Sequence, residues 1–182
     1  MEQIKTKRLT MTTADINDLP ALEEIDKECD KYFGFDPKCD MNHDCSLEEC
    51  LTTGDIPTGV KKEDFKRENY CFYCIWQDDA LIGYISYYLE YQRKDTIYLS
   101  VLYIKEAYRK NGIGAEIIEA LRLKFAAARF KTIKLHCSLR NATALRFWVK
   151  NGFDCIVDVE CNGNLYTNNF GGIELMNDNI GL

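Results

Sequence analysis

Between Tyr70 and Ile104 the apolar and aromatic positions gather into three runs, YCFYCIWQ, ALIGYISYYLEY and TIYLSVLYI, separated by Asp78-Asp79 and by the polar cluster QRKD. Aromatic and β-branched residues bounded by short polar turns predict an antiparallel meander of three strands. On either side the period lengthens to that of a helix. Upstream, Leu19, Leu22, Ile25 and Cys29 recur every three or four residues behind Asp15, a helix with an acidic cap. SLEECLTTG then offers a Ser46/Glu49 capping box, a short helix and Gly54 as its stop. Downstream, Ile113, Ile117, Ile118, Leu121, Phe125 and Ala128 share one face of a helix running from about Gly114 to Arg129. KTIKLHCSL returns to a strand pattern. Asn141 caps a second helix, ATALRFWVK, which Asn151-Gly152 ends. FDCIVDVE, a CNGN turn signal at Cys161 to Asn164, and LYTNNFGGIEL predict two closing strands.

The predicted order is helices, three strands, helix, strand, helix, two strands. A strand–helix–strand unit from TIYLSVLYI to KTIKLHCSL implies one parallel pair in an otherwise antiparallel sheet, because antiparallel neighbours need no crossover helix. The fold class is therefore α+β, with a mixed and mostly antiparallel sheet flanked by helices.

Composition narrows the function more than the fold. No repeat or proline-rich linker divides the chain of 182 residues, so one domain over residues 1–182 is expected. Apolar residues make up 46% and charged residues 29%, which argues against disorder, and no apolar run approaches the length of a membrane span. MEQIKTKRLTMTTADIND lacks the apolar stretch of a secretory signal and carries acids a transit peptide avoids, so a cytoplasmic location is expected. The net charge of −6 leaves no clustered cations for a nucleic-acid backbone and suits an amine-bearing partner. Nine cysteines are expected as thiols. Cys29, Cys39, His43, Cys45 and Cys50 lie close together, but their spacing matches no zinc pattern, and no metal is expected. CFYC at Cys71 to Cys74 sits in a strand-like run whose i and i+3 positions face opposite sides, which excludes a CxxC redox motif.

The chemistry concentrates at AYRKNGIGAEII, Ala107 to Ile118. A strand leading through glycines into a helix makes either a tight packing turn or an anion cradle, since the helix start presents unpaired N–H groups and the positive end of the dipole. Neither GxxxxGK[ST] nor GxGxxG is present. Arg109-Lys110-Asn111-Gly112-Ile113-Gly114 does fit R/Q-x-x-G-x-G/A, and it resembles the pyrophosphate-binding signature of the GNAT acetyltransferase superfamily. NATALRFWVKNGF, Asn141 to Phe153, is similar to that family's N-x-x-A-x-x-F-Y-x-x-x-G-F segment at the expected distance downstream.

The resemblance implies a GNAT fold and acetyl-CoA as co-substrate. It implies that backbone N–H groups of Lys110, Asn111, Gly112, Ile113, Gly114 and Ala115 hold the pyrophosphate, with favourable charge from Arg109 and Lys110. It also implies that the strand end Leu102, Tyr103 and Ile104 pairs with the pantetheine arm, and that Asn141 and Trp148 contact the coenzyme. Asn141 has in addition the plain role of a helix cap.

Acetylating an amine requires a deprotonated amine, a stabilised oxyanion and an outlet for the leaving thiolate. His136 is the candidate base: in TIKLHCSL the side chains of Ile133, Leu135, Cys137 and Leu139 alternate with those of Thr132, Lys134, His136 and Ser138, so His136 points away from the apolar face. It lies five residues before Asn141, where similar relatives carry a catalytic glutamate. A strand histidine without a role is the plain alternative. A strand N–H near Leu102 to Ile104 would polarise the carbonyl. Trp148 departs from the family pattern, which has a tyrosine thought to protonate the thiolate; an indole is no useful acid, but a thiolate of pKa about 8.5 leaves well unaided. Cys137 beside His136 does not make a thiol–base pair, because strand neighbours face opposite sides.

The expected function is thus direct N-acetyl transfer from acetyl-CoA to a small-molecule or peptide amine in a ternary complex. The rivals are a coenzyme-binding module without catalysis and an enzyme using another acyl donor. Tyr32 to Val60 and the strand pair around Tyr84 to Tyr91 are expected to shape the acceptor pocket, with Asp36, Asp40, Asp44 and Glu90 available to a cationic amine. No nucleic acid or membrane partner is expected; a homodimer through an exposed strand edge is.

Overall fold

The computed structural model describes residues 3–33 (side chains up to residue 28), 45–161, 171–178 and 180. Each run in the predicted meander forms a strand: β3 (Tyr70–Gln77), β4 (Ala80–Leu89) and β5 (Thr96–Ile104). They join β1 (Gln3–Lys5), β2 (Thr10–Thr13), β6 (Thr132–Ser138), β7 (Cys155–Cys161) and β8 (Gly171–Asn177) in one sheet of order β1-β2-β3-β4-β5-β6-β8-β7. All neighbours are antiparallel except β5 and β6. That pair is the one the strand–helix–strand unit predicts, with α3 (Ile113–Ala127) as the crossover.

β1 and β2 are additions to the predicted order. At three and four residues they are too short to show alternation, and they exist because β2 pairs with β3 from Thr10↔Trp76 to Thr13↔Tyr73. The Trp76 indole N–H also donates to Thr12 Oγ1 at 3.0 Å. The closing strands pair as expected, Cys155↔Met176 to Cys161↔Gly171. The turn itself, from residue 162 on, lies outside the described residues.

Caps set the helix starts. Asp15 caps a 3-10 turn, Ile16–Asp18, through a reciprocal box with Asp18, and α1 (Leu19–Phe33) comes directly after it. Ser46 and Glu49 box the start of α2 (Leu47–Thr52). Asn141 Oδ1 accepts the Ala144 N–H at 3.0 Å to open α4 (Ala142–Lys150). The α3 stripe is buried at Ile113, Ile117, Ile118, Leu121 and Phe125. Ala128, expected to extend it, is exposed, because the helix has already ended there.

The sheet carries a separate core on each face. α3 and α4 pack over Ile97, Leu99, Ile133 and Leu135, with Phe153 fully buried between them. α1 and α2 pack Leu22, Ile25 and Leu51 over Tyr70, Phe72, Tyr84, Tyr88, Tyr98 and Tyr103. Leu22 and Ile25 are completely buried, worth roughly 1.5–3 kcal/mol each. Cys71 packs into the first core and Cys74 into the second, so the CFYC thiols do face opposite sides.

The β4–β5 pairing contains one irregularity. Ser86 pairs with Val101 but Tyr87 pairs with Leu99, which makes Ser100 an extra residue in β5. Without this bulge Tyr98 and Tyr103, five apart, would face opposite sides of the sheet. With it both join the tyrosine-rich core beneath α1 and α2.

Candidate functional site

The parallel pair stops early. β5 and β6 are in register from Thr96↔Thr132 to Leu99↔Leu135 and no further. Beyond the Ser100 bulge β5 continues with β4 alone, Ile85↔Leu102 to Gly83↔Ile104, while β6 continues with β8 alone, His136↔Glu174 to Ser138↔Gly172. The two strands therefore part, and among the described residues no strand lies beside β5 on the gap side from Leu102 to Ile104, where the Ile104 carbonyl accepts from Arg109. A bare strand edge is a ready partner for another extended chain.

The glycine turn closes one end of this gap. After β5 a 3-10 turn, Glu106–Tyr108, leads into Lys110 and Gly112, both left-handed with φ of 63° and 87°. α3 starts at the next residue. The Ile113 N–H is taken by Asn111 Oδ1 at 3.3 Å. The N–H groups of Lys110, Asn111, Gly112, Gly114 and Ala115 have no acceptor among the described residues. Several unpaired donors at the positive end of a fifteen-residue helix make a site for an anion.

The two readings of this turn divide between its glycines. A Cβ on Gly112 would meet nothing nearer than Arg8 Nη2 at 3.5 Å, so φ alone demands glycine there. A Cβ on Gly114 would lie 2.8 Å from Phe147 Cε2, so that glycine lets α3 approach α4.

The cations are arranged differently from a simple pair of phosphate ligands. Arg109 Nε donates to the Ile104 carbonyl at 2.5 Å, and its guanidinium stands 4.9 Å over the Tyr103 ring. Arg109 thus braces the end of β5. Lys110 is exposed on the turn. A third cation, Arg8, comes from the β1–β2 connection: Nη1 donates to the Asn111 carbonyl at 3.0 Å and Nε to Glu116 Oε2 at 2.6 Å. Thr6 Oγ1 and the Arg8 N–H also donate to Glu116 Oε1. Burial pushes the Glu116 carboxyl up, but the bonds from Thr6 and Arg8 outweigh it and leave the group below its ordinary range. Nothing local marks Arg8 and Thr6, since their partner is more than a hundred residues away.

His136 is the first β6 residue past the last β5–β6 pair, on the tyrosine side of the sheet. Its neighbour across β8 is Glu174, which also faces Asp158 of β7. His136 Nε2 lies 3.9 Å from Glu160 Oε2, ion-pair range when the imidazole is protonated. Lys134 Nζ holds Glu174 Oε1 at 3.1 Å. Nearby on the same face the Tyr84 hydroxyl donates to Asp26 Oδ1 at 2.9 Å, and Tyr84 stacks on Tyr103.

Cys137 is buried on the opposite face from His136, and burial pushes its thiol up to about 11, so it supplies no thiolate to the gap. Trp148 is 8% exposed, in edge contact with Phe147 and Phe153 at 4.8 and 5.3 Å, within the α3–α4 core. Glu90, expected near the acceptor, sits exposed in the β4–β5 turn at the far, closed end of the strand pair. Asp36, Asp40 and Asp44, and Cys39 and His43 of the thiol cluster, lie outside the described residues, as does the Cys29 side chain. Among the described residues no group of three metal-ligating side chains occurs.

The acetyltransferase (GNAT) family matches over residues 27–153. The chain belongs to the GNAT acetyltransferase family. It is an acetyl-CoA-dependent N-acetyltransferase, with acetyl-CoA as donor and an amine as acceptor. No curated protein matches it in sequence. Among solved structures it is similar to a ribosomal L7/L12 α-N-protein acetyltransferase, RimL, in complex with coenzyme A, with TM-score 0.73, 15% identity and full coverage of both chains. It is similar to an acetyltransferase from Salmonella typhimurium that modifies the N-terminal serine of L7/L12, with TM-score 0.72, 15% identity and coverage of 96% and 98%. A ribosomal-protein-S18-alanine N-acetyltransferase from Escherichia coli matches with TM-score 0.64 and 16% identity over 92% of each chain. At these identities the likeness is one of fold. No described helix is long and apolar enough to cross a membrane.

Proposed function

We propose that this GNAT acetyltransferase binds acetyl-CoA in the gap between β5 and β6 and transfers the acetyl group directly to an amine in a ternary complex. The observation that carries the reading is the early end of the β5–β6 register, with helix-start amides that have no acceptor among the described residues at one end of the gap and His136 beside it. In this reading the pantetheine arm pairs with Leu102, Tyr103 and Ile104 as a further strand. The amides of Lys110, Asn111, Gly112, Gly114 and Ala115 take the pyrophosphate, and Asn141 and Trp148 line the arm from α4. Arg8 and Arg109 hold the turn and strand end in place, and Lys110 adds charge.

The acceptor amine arrives protonated, since a lysine-like amine has a pKa of about 10.4. His136 takes that proton, directly or through water, and Glu160 stabilises the imidazolium. An N–H of β5 past the bulge polarises the acetyl carbonyl while the amine attacks. The thiolate leaves and is protonated by solvent, which accommodates an indole at position 148. The buried, raised thiol of Cys137 argues against an acylated enzyme.

Glu160, Glu174 and Asp26 give the tyrosine face an acidic rim suited to a cationic amine. A protein α-amine is the first class to test, because the L7/L12 acetyltransferases that share this fold modify a protein N-terminus. The whole chain acts as one domain in this reading, supported by eight described strands in one sheet. It acts in the cytoplasm in this reading, supported by the ribosomal-protein acetyltransferases that share its fold. It pairs with a second copy along β7, an edge strand exposing Ile156, Val157 and Val159. Incubation with acetyl-CoA and a peptide ladder of free and blocked N-termini, read by mass, tests the acceptor. Added acetyl only on free α-amines is expected; acetylation of none, with coenzyme binding intact, would return the rival of a silent coenzyme-binding module.

A further inference from the structure

The strongest feature outside the gap is a pair of thiols at the start of α2. Cys45 precedes the cap Ser46, and Cys50 is the fourth helical residue, which are the two positions a hydrophobic staple brings together. Here both are cysteines. Cys50 Sγ donates to Cys45 Sγ at 3.5 Å, and Cys45 Sγ donates to the Gly54 carbonyl at 3.7 Å, just past the end of α2. The reciprocal Ser46/Glu49 box fixes the backbone between the two thiols. Arg67 fixes the other end of the helix, donating to the Thr52 and Leu51 carbonyls at 3.1 Å each. The sulfurs are thus held by a rigid frame at about 1.5 Å more than a bonded S–S distance of about 2.0 Å, a gap that side-chain rotation can close.

We propose that Cys45 and Cys50 form a modification site, a dithiol that closes reversibly to a disulfide by exchange with a low-molecular-weight disulfide. The Cys45 thiolate, the less enclosed of the two, attacks the external disulfide and forms a mixed disulfide, expelling one small thiolate. Cys50 then attacks Cys45 Sγ and expels the second. Two protein thiols are oxidised, one external disulfide is reduced to two thiols, and the two protons lost by the protein pass to the leaving thiolates.

Burial shapes the behaviour of the pair. It pushes both thiols up, Cys50 the further, and so suppresses the attacking thiolate at neutral pH. Closure is therefore slow and accelerates as pH rises. The product resists reduction, because poorly stabilised thiolates stabilise the reduced form little.

Oxidised glutathione added to the full-length protein at pH 7 and pH 9, with mass mapping of trapped thiols, tests the proposal. A loss of about 2 Da confined to a Cys45–Cys50 linked peptide, faster at the higher pH, is expected. Cys45→Ser should abolish that loss while leaving the folded spectrum unchanged, and Cys50→Ser should leave Cys45 as a stable glutathione adduct. Cys45 and Cys50 both remaining free while exposed Cys155 is modified would overturn the proposal. So would a linkage of either thiol to another cysteine, or a zinc ion retained at the pair in native mass.

Discussion

A side-chain methyl on Gly114 would stand 2.8 Å from the Phe147 ring, so the spacing of α3 and α4 is set by the absence of one carbon atom. Alanine there gains helix propensity of about 1 kcal/mol but must displace the ring at about 1–3 kcal/mol. Gly114→Ala should therefore lower the denaturation midpoint, and adding Phe147→Leu should recover most of the loss. Additive losses in the double variant would show that the two residues do not touch.

Glu116 links the β1–β2 connection to the first turn of α3, and its pH dependence has a definite sign. The bonds from Thr6 and Arg8 hold its folded pKa below the unfolded value of about 4.3. Its contribution is then fully present above that value and is lost as pH falls through the folded pKa. Glu116→Gln should lower stability at pH 7 by about 1–3 kcal/mol, the worth of hydrogen bonds to a charged group. The wild-type advantage should shrink below about pH 4 in paired thermal melts, with the unfolded carboxyl protonating first. A constant difference from pH 7 to pH 3 would contradict this assignment.

His136→Gln keeps a polar side chain of similar reach and removes the base. Turnover should fall by about a hundred- to ten-thousand-fold with the acetyl-CoA Kd unchanged, and the acidic limb of the pH–rate profile should disappear. An unaltered profile would leave His136 as a strand histidine and place the base elsewhere.

Trp148 separates packing from acid catalysis. Trp148→Phe retains an aromatic against Phe147 and Phe153 but removes the indole N–H, and should keep turnover within a few-fold. Trp148→Ala should cost about 3–5 kcal/mol of stability as a large core truncation. A large turnover loss in the phenylalanine variant, with folding intact, would make the indole N–H a participant.

The parts of this fold that were legible in the sequence are those governed by local periodicity and capping. The meander, α3, the caps at Ser46 and Asn141, and the opposed faces of His136 and Cys137 all arise from residues within a few positions of one another. What escaped is set by contacts distant in sequence. β1 and β2 are strands because β3 pairs with them, and Arg8 stands beside Gly112 because Glu116 holds it there. The Ser100 bulge was hidden for a related reason, since TIYLSVLYI reads as uninterrupted strand and only its register against β4 reveals the extra residue. The glycine turn shows the limit within one motif: R/Q-x-x-G-x-G/A singled out the turn as a candidate, but only the left-handed φ of Gly112 and the Phe147 ring beside Gly114 tell the conformational roles of the two glycines apart.

The central claim, that the helix-start amides beside the β5 edge hold the coenzyme, is tested most directly by calorimetric titration of the reduced protein with acetyl-CoA and with free CoA, beside a Gly112→Trp variant. Micromolar binding of both ligands by the wild type, lost in a variant that still folds, is the predicted result. No binding of either by the folded wild type, or equal binding by the variant, would contradict it.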